Sequence, residues 1–239
     1  MKRFFAERVE DGIARFSPEE LVHMKRVLRM KQGDKVIVPE GRGEWVCELF
    51  EQNGELEGRI IEYRGCNAEP KKHITLYMAY TKSDKLELCV QKAVELGVSA
   101  VCPFISSRCV KVPDEKSAEK ANLRMSRIAH EAVKQCGRAG DMKVLLPVRF
   151  DELLTEITHE DMCVFAFEKS DVPLKGVFSQ SPNAVNIGLI IGPEGGFSDD
   201  EAQKIQSAGA YTVSLGTRIL RAETAALALM AIASYETEN

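Results

Sequence analysis

The chain has 239 residues, 44% of them hydrophobic and 28% charged, with a formal net charge of −4. A folded chain of this size buries roughly 70% of the surface it exposes when unfolded, so this composition excludes disorder and predicts one large or two modest globular domains. No apolar run reaches membrane-spanning length, and the Met1-Lys2-Arg3-Phe4-Phe5 start lacks the apolar stretch of a signal peptide, so no membrane partner is expected. The seven cysteines are odd in number and contain no Cys-x-x-Cys pair, and the four histidines cluster with nothing. That pattern predicts reduced thiols, no metal site and a cytoplasmic location.

Charge is distributed unevenly. From Val22 to Lys35 five basic residues (Lys25, Arg26, Arg29, Lys31 and Lys35) face one acidic residue, Asp34. From Glu40 to Glu69 three basic residues stand against eight acidic ones, and from Arg108 to Lys143 nine basic stand against five acidic. Two basic stretches on an acidic chain fit a polyanion-binding face, although solvated helix faces give the same count.

In chain order, Ser17-Pro18-Glu19-Glu20 predicts a helix start in which Ser17 caps and Glu20 closes a capping box. The helix carries Leu21, Met24, Val27 and Leu28 on one side and Lys25, Arg26 and Arg29 on the other, and stops at Gly33. Strands follow at Lys35–Val38, Glu44–Phe50 and Glu55–Tyr63, with turns at Pro39–Gly43 and Asn53-Gly54. Several strands and one helix in the first 70 residues suggest a small β-barrel or barrel-like sheet.

Lys71-Lys72-His73 marks a boundary that divides the chain into residues 1–70 and 71–239. Beyond it strands are expected at Ile74–Tyr80, Ala100–Ile105, Val144–Val148, Met162–Phe167, Ile187–Ile191 and Thr212–Leu215. Helices are expected at Asp84–Leu96, Lys116–Gln135, Ser198–Ser207 (with its own box, Ser198 and Glu201) and Ala222–Tyr235. Unbroken apolar strands separated by helices mean a parallel sheet covered on both faces. Ligands of such sheets sit beyond the carboxyl ends of the strands.

Two loops there stand out. Gly192-Pro193-Glu194-Gly195-Gly196-Phe197 joins a strand to a capped helix, and its glycines allow close backbone approach to a ligand. It is neither a P-loop nor a dinucleotide fingerprint. The second, Ser214 to Ala225, carries Arg218, Arg221, Glu223 and two threonines. Glu223 suits the helix dipole, and a pairing of Arg221 with it as a structural clip is the alternative to a ligand-binding role for this loop.

Gly192-Pro193-Glu194-Gly195-Gly196 followed by Leu215-Gly216-x-x-Ile219-Leu220-Arg221-x-Glu223-Thr224-Ala225 resembles the paired signature of the RsmE family of SPOUT-class methyltransferases. Further matches are His23-x-x-x-Val27-Leu28-Arg29 with Gly33-Asp34, Lys82-Ser83-Asp84-Lys85, Lys92-Ala93-x-Glu95-Leu96-Gly97, Ser106-x-Arg108 and Gln135-Cys136-Gly137-Arg138. The chain departs from the pattern at Lys134, where the family usually has Glu, and at Ala139-Gly140. The resemblance implies an α/β protein with an N-terminal PUA-like RNA-binding β-barrel domain and a C-terminal SPOUT-type trefoil-knotted parallel-sheet domain. It implies methylation of N3 of a specific uridine in 16S rRNA with S-adenosyl-L-methionine as cofactor, by a cytoplasmic homodimer, with the 30S subunit as the expected substrate.

Carried over residue by residue, the resemblance implies a cofactor site at Thr81, Gly192, Pro193, Glu194, Gly195, Gly196, Leu215, Gly216, Ile219, Leu220, Arg221 and Thr224. Charge stabilisation falls to Arg221, with Arg138 as second candidate, and proton acceptance to Glu223 or Glu194. Lys25, Arg26, Arg29, Arg108 and Lys111 are expected to grip RNA phosphates. The Ala225–Ala233 stretch serves equally well as a dimer element or as core. Other readings are a knotted methyltransferase acting on tRNA or on a ribose hydroxyl, a non-catalytic RNA-binding protein, and a dinucleotide oxidoreductase that lacks its fingerprint. Cys136 invites a nucleophile role, but N3 methylation requires no covalent adduct.

Overall fold

The computed structural model describes residues 1–40, 43–65 and 68–238. Gly41 and Arg42 of the expected Pro39–Gly43 turn, and Cys66, lie outside the described residues. The chain forms two compact units, Met1–Glu69 with Val133–Asp141, and Pro70–Ala132 with Met142–Asn239. The first unit is therefore discontinuous, which a single boundary near residue 70 does not capture.

The first unit is a six-stranded sheet in the order β1-β4-β5-β6-β3-β2. Its strands are β1 (Lys2–Arg3), β2 (Ala6–Glu10), β3 (Ile13–Phe16), β4 (Lys35–Glu40), β5 (Gly43–Gln52) and β6 (Glu55–Gly65). All neighbours are antiparallel except β1 and β4, so the sheet curls into a half-barrel. Asn53-Gly54 turns β5 into β6 with φ of +51° and +81°, the left-handed pair that a two-residue hairpin demands. Asp11-Gly12 does the same between β2 and β3, at +52° and +75°. Helix α1 (Pro18–Val22) continues through a π-helical turn at His23–Val27. Phe4, Phe16, Met24, Val36, Val38 and Leu49 fill the half-barrel.

Ser17 caps α1 as expected, its Oγ accepting from the Glu20 N–H at 3.3 Å. The reciprocal half of the box does not form. The buried Glu20 carboxylate instead meets Lys134 Nζ at 2.6 Å, because an ammonium offers a desolvated carboxylate more than a neutral backbone N–H does. Lys134, the departure from the family pattern, thus has a structural partner.

The second unit is built on a parallel sheet in the order β10-β8-β7-β12-β11-β13, with β9 also beside β8. Its strands are β7 (His73–Ala79), β8 (Ala100–Ile105), β9 (Lys143–Val144), β10 (Val148–Arg149), β11 (Met162–Ala166), β12 (Asn186–Ile191) and β13 (Tyr211–Val213). Helices α2 (Ser83–Glu95), α3 (Glu115–Cys136), α4 (Phe150–Ile157), α5 (Asp199–Ser207) and α6 (Ala222–Glu238) connect or flank them, the last turn of α3 counting with the first unit. The expected Val144–Val148 strand is two short pieces, β9 and β10, pairing with opposite ends of β8. After β13 at the sheet edge the chain returns, and α6 packs on α2, β7 and β12 in the middle. Ala226, Leu229, Met230 and Ala233 are buried at helical spacing, so much of the Ala225–Ala233 stretch is core. Among the described residues no helix is long and apolar enough to cross a membrane, and no group of three metal-ligating side chains occurs.

Candidate active site

The loops following β12 and β13 meet over a cleft of about 410 Å³, floored by Ala166, Phe167 and Ile191. That volume suits a small organic ligand. The first loop is locked from inside the protein. Phe197 is buried between Phe165, at a ring-centroid distance of 4.9 Å, and Phe104, at 6.0 Å. The Gly196 N–H donates to the Pro193 carbonyl at 2.9 Å, which closes the turn that presents Glu194 and Gly195. Two of the glycines are constrained, Gly192 by contact and Gly196 by its positive φ. A Cβ on Gly192 would lie 2.6 Å from the Phe197 ring, and Gly196, at φ +66°, would bring one within 2.6 Å of Glu168 Oε1.

Helix α5 begins with the full capping box read from the sequence, the Ser198 N–H donating to Glu201 Oε2 and the Glu201 N–H to Ser198 Oγ. Glu201 Oε1 also accepts the Ser107 N–H at 2.7 Å, so one buried carboxylate ties the segment after β8 to the glycine loop. Burial pushes this carboxyl up, but the Ser107 and Ser198 N–H groups outweigh it and hold it below the ordinary glutamate value. Next to Ser107, Arg108 Nη1 donates to the Gly195 carbonyl at 3.0 Å. Arg108, expected at RNA phosphates, is exposed and is also attached to the glycine loop. Lys111 is exposed three residues on.

The second loop lines the other side of the cleft with Leu215, Gly216, Ile219, Leu220 and Arg221. The alternative of an Arg221–Glu223 clip is not what the structure shows. Glu223 Oε2 lies 3.5 Å from Lys85 Nζ, whose shorter contact, 3.0 Å, is to Glu194 Oε1. Lys85 projects from the first turn of α2. Glu223 Oε2 is buried and accepts no hydrogen bond among the described residues. Burial raises the Glu194 carboxyl, but its own N–H, the Lys85 hydrogen bond and the Lys85 and Lys82 charges hold it below the usual range. The Lys85 ammonium is correspondingly raised, first by its hydrogen bond to Glu194. Arg221 is exposed at the cleft with no ion pair among the described residues.

Of the expected cofactor positions, Gly192, Pro193, Glu194, Gly196, Leu215, Gly216, Ile219, Leu220 and Arg221 line this cleft. Gly195 and the exposed Thr224 flank it in sequence, and Thr81 is buried with its hydroxyl turned to the Lys82 carbonyl. Lys85, Glu168, Phe197 and Arg218 line it without having been singled out as site residues, Lys85 lying within the Lys82-Ser83-Asp84-Lys85 motif. Arg138 lies in the first unit, 4% exposed, with Nη2 3.5 Å from Glu69 Oε2. Glu69 Oε1 also accepts the Ala139 and Gly140 N–H groups, so Arg138 and Glu69 together hold the 137–141 loop. Lys25, Arg26 and Arg29 are all exposed in the first unit, Lys25 donating to the Gly54 carbonyl.

The chain thus combines a parallel-sheet unit that carries a two-loop cleft with a half-barrel unit. A family model described as an RNA methyltransferase domain matches residues 68–234, and one described as an RNA methyltransferase PUA domain matches residues 16–61. Ribosomal RNA small subunit methyltransferase E of Bacillus subtilis is 33% identical over all of this chain and 98% of its own length. The Aquifex aeolicus protein of the same name is 31% identical over 97% and 98%. The crystal structure of the Neisseria gonorrhoeae protein of that name, bound to S-adenosylmethionine, superposes with a TM-score of 0.85, at 28% identity over 98% and 97% of the two chains. The chain belongs to the ribosomal RNA small subunit methyltransferase E (RsmE) family of RNA methyltransferases.

Proposed function

We propose that the protein transfers the methyl group of S-adenosylmethionine to N3 of a uridine in 16S rRNA within the 30S subunit, and that it does so as a homodimer. The observation that carries this reading is the cleft. Two glycine-bearing loops, at the carboxyl ends of β12 and β13 on either side of β11, enclose about 410 Å³ lined by apolar side chains together with Lys85, Glu194 and Arg221. Leu215, Ile219 and Leu220 offer apolar surface to an adenosyl group, and Gly192 and Gly196 leave room for its approach. The cofactor supplies an electrophilic methyl group there, so the protein's part is positioning and charge.

Uridine N3 must lose its proton as the new bond forms, and negative charge develops on the base. Arg221, unengaged by any carboxylate, is the cation available to stabilise it. Glu194 is a weak proton acceptor because its carboxyl is held below the ordinary range. Glu223, which follows the cleft-lining Ala222 and has Oε2 3.5 Å from Lys85 Nζ, is the other candidate acceptor. The locked glycine loop fixes the methyl donor relative to the base, which converts binding into rate. Lys25, Arg26, Arg29 and Lys111, all exposed, and Arg108, which keeps further guanidinium donors beyond the one spent on Gly195, would contact phosphates. Ile232 and Tyr235, exposed on α6, support a second copy as partner.

The test is a methyl-transfer assay with labelled S-adenosylmethionine on unmethylated 30S subunits and naked 16S RNA in parallel, with nucleoside mass analysis. N3-methyluridine formed on 30S supports the reading. Methylation of tRNA or of a ribose hydroxyl instead would replace it. Light scattering gives the oligomeric state directly.

A further inference from the structure

We propose that Arg108 is a positioning residue that couples the RNA substrate to the cofactor loop, so that a phosphate held by its guanidinium tightens cofactor binding. The proposal rests on the reading of the cleft as the S-adenosylmethionine site and of Arg108 as an RNA contact.

Arg108 stands on a short, firmly held segment after β8. The Cys109 N–H donates to the Ser106 carbonyl at 3.2 Å, which closes a tight turn over residues 106–109. The Ser107 N–H donates at 2.7 Å to the buried Glu201 carboxylate, which also caps α5. The backbone beneath Arg108 is thereby fixed to the helix that follows the glycine loop. Its side chain lies along that loop, since a Cβ on Gly195 would sit 3.4 Å from Arg108 Cβ and 3.8 Å from its Cδ.

The guanidinium ends on one particular peptide. Arg108 Nη1 donates to the Gly195 carbonyl at 3.0 Å, and the N–H of the same peptide, that of Gly196, donates to the Pro193 carbonyl at 2.9 Å. A peptide that accepts at one end and donates at the other is polarised, so each bond strengthens the other. This peptide also joins two glycines, the residues that resist its rotation least. The inner bond closes the turn, and the outer bond from Arg108 keeps the peptide plane from turning over. Gly196 lines the cleft, so the orientation of this peptide sets how the loop faces a cofactor.

The outer bond is made by an exposed side chain, and ordering a free arginine costs rotamer entropy. Among the described residues no carboxylate pairs with Arg108, and the nearby Asp199 is engaged by Lys169 at 2.5 Å. The planar fork keeps further N–H donors for an anion beyond the one spent on Gly195. Lys111, exposed three residues on, adds a second cation. A phosphate bound there orders the guanidinium before the cofactor arrives, and the loop bond then forms at a smaller entropic cost. By linkage, a cofactor that holds the loop in this orientation tightens RNA by the same factor.

Equilibrium dialysis of the full-length protein with labelled S-adenosylhomocysteine, alone and with saturating unmethylated 30S subunits, measures the coupling as a ratio of dissociation constants. The wild type is expected to bind this ligand about fivefold tighter with 30S present, the lower end of the coupling that linked sites show. Arg108→Ala, and Arg108→Lys, which keeps the charge but not the planar fork, are expected to bring that ratio to about one. Lys111→Ala is expected to weaken 30S binding and still keep the wild-type ratio. If Arg108 only braced the loop, its variants would weaken S-adenosylhomocysteine equally with and without 30S and leave the ratio where it was. That result, a wild-type ratio of about one, or loss of the ratio in Lys111→Ala as well, overturns the coupling while the cofactor reading stands. Failure of the wild type to bind S-adenosylhomocysteine, or to bind 30S subunits, overturns the reading beneath it.

Discussion

Replacing Gly192 by alanine adds one methyl group at the tightest place in the cleft. The new Cβ would sit 2.6 Å from Phe197 Cε2 and 2.8 Å from Cδ2, where carbon atoms ordinarily rest about 3.5–4.0 Å apart. The ring must give by about 1 Å. It has little room to do so, being 1% exposed and packed against Phe104 and Phe165. Overpacking of this kind costs about 1–3 kcal/mol, which for a chain of this size lowers the unfolding midpoint by roughly 2–10 °C. If the strain is relieved by moving the loop instead, cofactor affinity falls by about tenfold for each 1.4 kcal/mol. Gly195→Ala is the control, since its nearest neighbour is Arg108 Cβ at 3.4 Å, an ordinary contact, and its cost should stay within about 0.5 kcal/mol. Gly196→Ala falls between them, because φ +66° costs a side chain roughly 1–2 kcal/mol while Glu168 can swing aside. Calorimetry with a cofactor titration ranks the three. Equal midpoints for Gly192→Ala and wild type, or an equal loss for Gly195→Ala, would refute the reasoning.

Arg221→Ala should lower methyl transfer by about a hundredfold or more while changing S-adenosylhomocysteine affinity by less than about threefold; parallel losses would make Arg221 a cofactor ligand. Reversing the charges of Lys25, Arg26 and Arg29 together should reduce the slope of log RNA affinity against log salt by about 2 to 3. A slope unchanged by that triple reversal means these side chains face only solvent. Glu201 has its carboxyl depressed in the folded state, so its contribution is present above the ordinary glutamate value near about 4.3 and is lost as pH falls through the folded value. Chemical unfolding should therefore show wild type ahead of Glu201→Gln at neutral pH, with the gap closing below pH of about 4.

The parts of this protein written in local pattern were legible beforehand. Ala100–Ile105 is a strand at the boundaries its apolar run predicts, and Ser198 with Glu201 caps α5 in both directions. The two cleft loops were likewise found from glycine and charge content, because strand-to-helix turns carry their own chemistry. What escaped depended on weak local signals or on distant partners. The β2–β3 hairpin hides in a charged segment, although Asp11-Gly12 is a strong turn signal. Helix α4 has only eight residues and is preceded at its N-cap by Arg149, a poor capping residue, whose N–H is satisfied by Glu152 from inside the helix. Glu20, Glu223 and Arg138 each found a partner far along the chain, in Lys134, Lys85 and Glu69 respectively. A charged side chain within a motif reveals its type but not its counterion, and the counterion decides whether it can do chemistry.

The return of the chain from β13 to the middle of the sheet has a consequence for synthesis. Translation is vectorial, and domains fold from the amino end as they emerge. Here the cleft needs Lys85, the 192–197 loop and the 214–225 segment at once, so it exists only when nearly the whole polypeptide is free. A stalled or truncated nascent chain carries the basic helix of the first unit but no completed cleft. A late frameshift would therefore abolish the cleft outright rather than weaken it.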